Sequence, residues 1–176
     1  MRRLQAARGT PLNRGLPALL AVGVALLGLG ADQASKGAVL GALTPGRPVE
    51  VVGTLLRFNL TFNPGAAFSL GTSMTLALSI FAIVALLACV FVALRRVRTL
   101  PQGLAVGLFM AGISGNLHDR LLRAPGPLLG HVVDFIQLPH FAIFNVADIC
   151  ITSAAVLVVL LSLCSPSDVE KRSGRK

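Results

Sequence analysis

The sequence predicts an α-helical membrane protein with four transmembrane helices and a small extracytoplasmic β-sheet cradle. The chain of 176 residues has a mean hydropathy of +0.77, and only 13% of its residues are charged. Soluble domains carry about twice that share of charged residues. Long apolar runs alternate with short polar segments, and most basic residues lie in clusters beside those runs. The length suits one membrane domain, 15–164.

Composition and length place the four spans. The second apolar run has no charged residue, the third is rich in glycine, and the fourth carries one acid, at its start. The first run is shorter than the roughly 20 residues that a span needs, so its helix must continue through Asp32 and Lys36 towards Leu43. In chain order we predict a basic tail at 1–14, spans at about 15–36, 74–94, 102–120 and 146–164, and a basic tail at 165–176.

The first segment has a second interpretation. A basic start, an apolar run and the small residues Gly28, Gly30 and Ala31 are also typical of a cleaved signal peptide. The distribution of charge does not distinguish the two, because removing this segment leaves the other spans in the same orientation. Both interpretations stay open at this point.

The orientation follows from the basic clusters. Arginines precede the first span and follow the second, and a third basic cluster follows the fourth span. Because positive residues favour the cytoplasmic side, we expect both termini there and the loops 37–73 and 119–146 outside. This topology accounts for the net charge of +9. A nucleic-acid partner is not expected, since the basic residues are split between ends and lack interleaved aromatic residues.

Polar residues mark the end of the first span. Asp32 and Lys36 are four residues apart, so they share one face of a helix. They form either a plain ion pair that anchors the helix or a pair that orients loops over a site. Ser35 and Lys36 are adjacent and do not face each other on a helix, which argues against a serine–lysine nucleophile.

The first outer loop combines two short strands with a turn. Residues 49–62 are rich in β-branched and aromatic side chains and are bounded by prolines, which predicts strands at the membrane face. Asn63 precedes a proline and is biased towards an extended conformation. Gly65 allows a tight turn, and the small residues after it allow another chain to approach closely. A plain connecting loop is the alternative.

The third span ends in a crowded polar turn. Asn116 lies three residues before Asp119 and four before Arg120, so it can meet either of them and the three crowd one helical turn. Polar groups at this depth need partners. For Asp119 and Arg120 a buried structural network is a sufficient explanation. His118 is expected at the surface.

Two further acidic residues lie within or beside apolar runs. Asp134 lies within an apolar, strand-like run, and Asp148 begins the last span. Burial raises the proton affinity of a carboxylate, and two close carboxylates can share one proton and activate water. His131 and His140 flank the Asp134 run without the spacing of a metalloprotease helix, so we expect no metal and no other cofactor.

Four of the seven acids therefore fall at span ends on one side of the membrane. An ion-coupled carrier is the chief alternative, because intramembrane acids also mark ion paths. No acid lies in the middle of a span to relay charge, which argues against it. A non-catalytic scaffold explains the spans but not this convergence.

At this point the residues resemble a known family. Five segments, in order, are similar to the motifs of lipoprotein signal peptidases, also called signal peptidase II, and the resemblance covers about residues 16–161. It implies a retained first span and a catalytic pair, Asp134 and Asp148, without assigning the base or the acid. The segments are Asp32–Lys36, Asn63–Phe68, Gly115–Arg120, Val132–Ile136 and Phe144–Asp148.

The resemblance also implies the partners and the location. The expected substrate is a prolipoprotein whose cysteine carries a diacylglyceryl group, cut just before that cysteine in the bacterial inner membrane, with membrane lipid around a monomeric enzyme. The connection 121–131 is longer than in the typical member, which affects the expected rim of the site. The residues implied to support or bind at the site are Asp32, Lys36, Asn63, Gly65, Asn116, Asp119, Arg120 and Asn145.

Overall fold

The computed structural model describes residues 15–65 and 72–164. The predicted tails 1–14 and 165–176, and the small residues predicted to follow Gly65, lie outside these ranges. The described elements are five helices, a π-helical segment and three strands. They are α1 Gly15–Ala42, β1 Val49–Val52, β2 Leu56–Asn63, α2 Thr72–Ala88, the π-helical Cys89–Ala93, α3 Leu94–Arg96, α4 Leu100–Leu122, β3 Val132–Gln137 and α5 Val146–Leu163.

Three of these helices are long and apolar enough to cross a membrane. They are α1 (Gly15–Ala42), the continuous segment Met74–Arg96 and α5 (Val146–Leu163). The second consists of α2 from Met74 onwards, the π-helical turn and α3. The protein therefore has a helical membrane fold with several apolar helices. Helix α4 is long enough as well, but its composition is more polar because its last two turns carry Asn116, His118, Asp119 and Arg120.

The first helix extends beyond the predicted span of about 15–36. A helix running on towards Leu43 was expected, and α1 continues to Ala42. Residues 37–42 contain no proline, and the helix ends just before Thr44 and Pro45, where the proline ring disfavours a helical conformation of the preceding residue. The later helical segments begin and end within about two residues of the predicted 74–94, 102–120 and 146–164, a margin that is usual for helix ends. That the membrane spans have these bounds stays a prediction.

Helix α4 lies at the centre of the helix packing and touches α1, α2 and α5. Glycines permit the closest approaches. A Cβ atom at Gly112 would lie 2.4 Å from the carbonyl oxygen of Ala147 on α5, and one at Gly115 would lie 2.6 Å from the Asp32 carboxylate on α1. Small residues at helix interfaces let membrane helices pack at such short range. The two helices that carry Asp32 and Asp148 are thereby held against α4.

The strands form one antiparallel sheet in the order β1-β2-β3. Thr61 pairs with Asp134 across β2 and β3. The sheet packs on the last turns of α1 through an apolar cluster that contains Val39, Leu60, Val133 and Phe135. The same end of the helix bundle, called the sheet end below, holds the first turn of α5 and the last turns of α4.

Candidate functional site

Four aspartates meet at the sheet end, each from a different element. Asp32 comes from α1, Asp119 from α4, Asp134 from β3 and Asp148 from α5. Asp32 and Asp119 are fully buried, Asp134 is 3% exposed, and Asp148 is partly exposed. The structure thus brings together the acids that the sequence placed at span ends.

Asn145 links Asp134 to Asp148. Its side-chain Nδ2 donates to Asp134 Oδ1 at 2.6 Å, and its backbone N–H donates to Asp148 Oδ2 at 3.1 Å. Asn145 is also the N-cap of α5, and its Oδ1 accepts from the backbone N–H of Asp148 at 3.0 Å. This capping box fixes both Asp148 and the bridge to Asp134 with one asparagine.

Asn116 completes the contacts of Asp148. Its Nδ2 donates to Asp148 Oδ1 at 2.8 Å, while its Oδ1 accepts from Asn145 Nδ2 at 3.1 Å and from Lys36 Nζ at 3.3 Å. The amide of Asn116 is therefore oriented by two donors at its oxygen and by the acceptor Asp148 at its nitrogen. It holds Asp148 in place through a neutral group and not through an ion pair.

Asn63 holds the other oxygen of Asp134. Its Nδ2 donates to Asp134 Oδ2 at 2.9 Å, and its Oδ1 accepts from the backbone N–H of Gly65 at 2.8 Å. Gly65 has φ +89°, a conformation that favours glycine. The turn after β2 therefore aims the amide of Asn63 at the carboxyl group of Asp134.

Asp134 has an unusually high proton affinity. Its pKa is raised from 3.8 to about 6, chiefly because burial disfavours the charged form. The negative charge of Asp148 raises this pKa as well, whereas the hydrogen bonds from Asn63 and Asn145 and the charge of Lys36 lower it. Asp148, by contrast, lies in the first turn of α5, where the helix dipole attracts negative charge.

The other two aspartates belong to an ionic cluster of Asp32, Lys36, Asp119 and Arg123. Lys36 Nζ lies 2.8 Å from Asp32 Oδ2 and 2.8 Å from Asp119 Oδ2, and all three side chains are fully buried. Arg123 Nε donates to Asp119 Oδ1 at 2.7 Å. Two carboxylates and two cations thus balance each other in a region where an unpaired charge is costly.

The ionic cluster also fixes the backbone beside the other pair. Asp32 Oδ1 accepts from the backbone N–H of Ala147 at 2.9 Å, one residue before Asp148. Asp119 Oδ2 accepts from the backbone N–H of Val133 at 3.1 Å, one residue before Asp134. Because Lys36 holds both of these carboxylates, it sets the position of α5 relative to β3.

Arg120 faces the site from α4. Its positive charge is attracted by Asp148, Asp134 and Asp119, and its Nη1 donates to the backbone oxygen of Asn116 at 3.5 Å. Within the described residues its buried Nε has no hydrogen-bond partner. Arg120 therefore supplies positive charge near Asp134 and Asp148 without an ion pair to either of them.

The histidines lie apart from these contacts. The His118 side chain is 41% exposed with Nδ1 3.8 Å from Asp119 Oδ1, and His140 is exposed with φ +58°. In the part of the chain that the structure describes, no group of three or more histidine, cysteine or acidic side chains is placed to hold a metal ion. The absence of a metal from the reaction stays a prediction.

Sequence reasoning missed three contributors. Arg123 lies four residues after Asp119, a spacing that would have revealed it. Thr75 and Ser79 are hydroxyl residues one turn apart in an apolar span, and both are fully or almost fully buried. Their spacing was the available signal, because two hydroxyls on one face of such a helix indicate a polar contact.

Comparison with known families gives a direct match. The profile of the family described as "Signal peptidase (SPase) II" matches residues 24–164. That range contains both the ionic cluster and the contacts of Asp134 and Asp148.

Three relatives are named "Lipoprotein signal peptidase". The protein of Streptomyces coelicolor is 43% identical over 141 residues, which are 79% of this chain and 68% of the relative. That of Mycobacterium tuberculosis strain H37Rv is 40% identical over 150 residues, 85% of this chain and 73% of the relative. That of Mycolicibacterium smegmatis is 40% identical over 151 residues, 86% of this chain and 63% of the relative.

Two solved structures share the fold. Both are described as bacterial membrane enzymes studied by the in meso method. One aligns with a TM-score of 0.70 and 29% identity, covering 86% of this chain and 94% of its own. The second aligns with a TM-score of 0.67 and 28% identity, covering 92% of each chain.

Proposed function

The chain belongs to the signal peptidase II family, the peptidases that remove signal peptides from prolipoproteins, and we propose that Asp134 and Asp148 are its catalytic pair. The substrate is a prolipoprotein whose cysteine carries a diacylglyceryl group, and the cut falls just before that cysteine. A site at the end of apolar helices suits such a substrate, because its acyl chains can stay in lipid while its backbone reaches the carboxyl groups.

One observation carries the proposal: Asp134 and Asp148 share Asn145 as a donor and are bound by neutral amides. Among the described residues neither forms an ion pair, whereas Asp32 and Asp119 both do. A carboxylate locked to a buried cation stays ionised, but two neighbouring carboxyl groups held by amides can share and exchange one proton.

The surroundings of the two groups support separate roles. Asp134, with its pKa of about 6, holds the shared proton, and Asp148, at the N-terminus of α5, acts as the base. Asp148 takes a proton from water as the water adds to the scissile carbonyl carbon, while Asp134 donates its proton to the carbonyl oxygen. When the C–N bond breaks, the proton on Asp148 passes to the leaving nitrogen, and a hydroxyl proton returns to Asp134.

The supporting residues have distinct tasks in this scheme. Asn63 and Asn145 hold Asp134, while Asn116 and Asn145 hold Asp148. Arg120 offsets negative charge as it develops on the reacting carbonyl. Gly65 shapes the turn that orients Asn63, and the ionic cluster fixes the backbone on which both catalytic carboxyl groups stand.

The proposed topology makes α4 a fourth span. Its contacts with α1, α2 and α5 surround it with apolar helices, which supports a place within the membrane despite its polar last turns. The basic clusters put both termini in the cytoplasm of a bacterial inner-membrane protein, with the sheet end outside. Single cysteines near Gly46 and after 164 test this: a membrane-impermeant thiol reagent should label only the first in intact cells.

The activity is tested with purified protein, prepared from cells that lack their own enzyme of this type, and a diacylglyceryl-modified prolipoprotein. A shortened product should form and begin at the lipidated cysteine, with the same rate in the presence of a metal chelator. Precursor without the lipid should remain uncut. Cleavage that stops in chelator would contradict a mechanism based on the two aspartates alone.

A further inference from the structure

Helix α2 presents two buried hydroxyl groups to the rim of the site. Thr75 is 1% exposed and Ser79 is fully buried, and they lie four residues apart on one face of an otherwise apolar helix. Each points to a different loop. The hydroxyl of Thr75 donates to the backbone oxygen of Pro64, and the hydroxyl of Ser79 lies 2.7 Å from the backbone oxygen of Leu128.

The contact of Thr75 leads to the site in two steps. Pro64 follows Asn63 directly, and Asn63 Nδ2 donates to Asp134 Oδ2 at 2.9 Å. On the far side of the turn, Gly65 packs against α2 so closely that a Cβ atom there would lie 2.7 Å from Leu78 Cδ1 and 3.8 Å from Thr75 Cα. The turn that orients Asn63 towards Asp134 therefore packs against α2.

The carbonyl group of Pro64 needs this partner. It lies in a turn packed against an apolar helix, where an unpaired carbonyl oxygen is costly. The hydroxyl of Thr75 supplies the missing donor, whereas a valine of the same shape would not. Without that donor the carbonyl would rotate to find another partner, and Asn63, one residue away, would move with it.

We propose that Thr75 is a positioning residue for the peptidase reaction, because its hydroxyl group fixes the turn that holds Asn63 against Asp134. This inference rests on the proposed catalytic role of Asp134. Thr75 itself touches neither carboxyl group of the pair. Its effect reaches the reaction through the hydrogen bond of Asn63.

The consequence is a change in the pH dependence of cleavage. Asp134 is faced by Asp148 from α5, Lys36 from α1 and Arg120 from α4, and these charges stay in place when Thr75 changes. The hydrogen bond from Asn63 favours the ionised form of Asp134, so loosening it raises the pKa of Asp134. Asp134 then stays neutral to higher pH, so the midpoint of the alkaline limb of the kcat profile moves to higher pH.

Ser79 provides the matched control on the same helix. Its hydroxyl lies near the backbone oxygens of Thr75 and Leu128, and Leu128 belongs to the connection between α4 and β3. Ser79 meets the backbone oxygen of Thr75 and not the hydroxyl that binds Pro64, and among the described residues it has no hydrogen bond to the turn at 63–65. Ser79→Ala removes an equally buried hydroxyl from the same helix face, so it controls for a general effect on packing.

The experiment measures kcat and KM against pH for Thr75→Val, Thr75→Ser and Ser79→Ala, using the lipidated precursor. Thr75→Val should lower kcat about 3- to 10-fold and raise the midpoint of the alkaline limb by roughly 0.5 pH unit. Thr75→Ser, which keeps the hydroxyl, should restore the wild-type midpoint, and Ser79→Ala should leave the midpoint unchanged. Added to Asn63→Ala, the Thr75→Val change should shift the midpoint no further.

A Thr75→Val enzyme with the wild-type midpoint and kcat would overturn the inference, even if less protein accumulated. An equal shift of the midpoint in Ser79→Ala would overturn it too, by showing a general packing effect. Failure of the proposed function looks different, because Asp134→Asn would then still cleave the precursor.

Discussion

The four aspartates at the sheet end fall into two pairs that differ in what binds them. Asp32 and Asp119 each lie 2.8 Å from the same buried lysine, Lys36. Asp134 and Asp148 receive hydrogen bonds from asparagine side chains and backbone amides. Both pairs lie at the sheet end, so position along the helix bundle does not separate them. What separates them is the charge of their partners.

This difference separates a structural role from a chemical one. A carboxylate paired with a buried cation is held ionised, and its value lies in the backbone groups that it binds, here the N–H groups of Ala147 and Val133. A carboxyl group held by amides can gain or lose a proton without losing all of its partners. The four predictions below test this division, beginning with the largest effect.

The amide-held pair should be indispensable. Asp134→Asn and Asp148→Asn keep the shape of the side chain and remove its proton chemistry, so each should lower kcat by at least about 1000-fold. Both variants should still insert into the membrane and bind lipidated precursor. The double variant should be no worse than either single variant, because the two groups act as a unit.

The rate of cleavage that remains in these variants tests the prediction. A near wild-type rate for Asp148→Asn, in a preparation free of the host's own peptidase, would remove the aspartic mechanism. Quantifying membrane-inserted protein in parallel distinguishes lost chemistry from lost protein.

The ionic cluster should matter first for stability. Lys36→Met leaves Asp32 without its cation and Asp119 with Arg123 alone, so the free energy of unfolding should fall by about 3–5 kcal/mol. Denaturant titration in detergent measures this loss. The exposed pair Glu50–Arg57 is the control, since its side chains are 57% and 34% exposed. Arg57→Met should cost less than about 1 kcal/mol.

A Lys36→Met protein as stable as the wild type would contradict the structural role of the ionic cluster. A stable but inactive variant would show that the cluster takes part in the chemistry itself, which would remove the distinction between the two pairs.

Asn63 should set the pH range of cleavage. Its hydrogen bond lowers the pKa of Asp134, so Asn63→Ala should raise that pKa above its value of about 6 and keep Asp134 neutral to higher pH. The alkaline limb of the kcat profile should therefore move up by roughly one pH unit. A profile of lower amplitude but unchanged midpoints would show that Asp134 does not hold the shared proton.

The smallest effects are expected at the histidines. Because His118 is partly exposed and His140 is exposed, alanine at either position should change kcat/KM by less than about 2-fold. Initial rates on the lipidated precursor test this. Lost turnover in a well-folded His140→Ala enzyme would reveal a catalytic group outside the two pairs.

Local pattern in the sequence was enough for the elements of the fold. Apolar runs and their charged ends gave the helices, and β-branched residues between prolines gave β1 and β2. The helices begin and end near the predicted residues, and α1 runs on to Ala42 as the short first apolar run required. Helices and strands follow from spacing within a few residues, which is why these parts could be predicted.

The sequence named most of the residues that meet at the candidate site but not their contacts. The motifs pointed to residues that the fold brings together, yet beyond the spacing of Asp32 and Lys36 nothing in them divided the four aspartates into an ion-paired and an amide-held pair. That division depends on contacts between distant residues: Asp32 binds the N–H of Ala147 across 115 residues, and Lys36 binds Asn116 across 80. The spacing of Thr75 and Ser79 could indicate a polar contact but not its partner, because Pro64 lies in the turn after β2.

The sequence by itself determined that this is a helical membrane protein with acids at the ends of its apolar segments, because hydropathy and helical spacing are local properties. Helical spacing already paired Asp32 with Lys36, but only the tertiary structure decided that Asp119 shares this cation and that Asp134 and Asp148 meet amides. Packing of α1 and α5 against the glycine face of α4 brings Asp119 to the Asp32–Lys36 pair and leaves Asn116 and Asn145 for the other two aspartates. The proton affinity and the role of a buried carboxyl group depend on its neighbours, and the fold determines which residues those neighbours are.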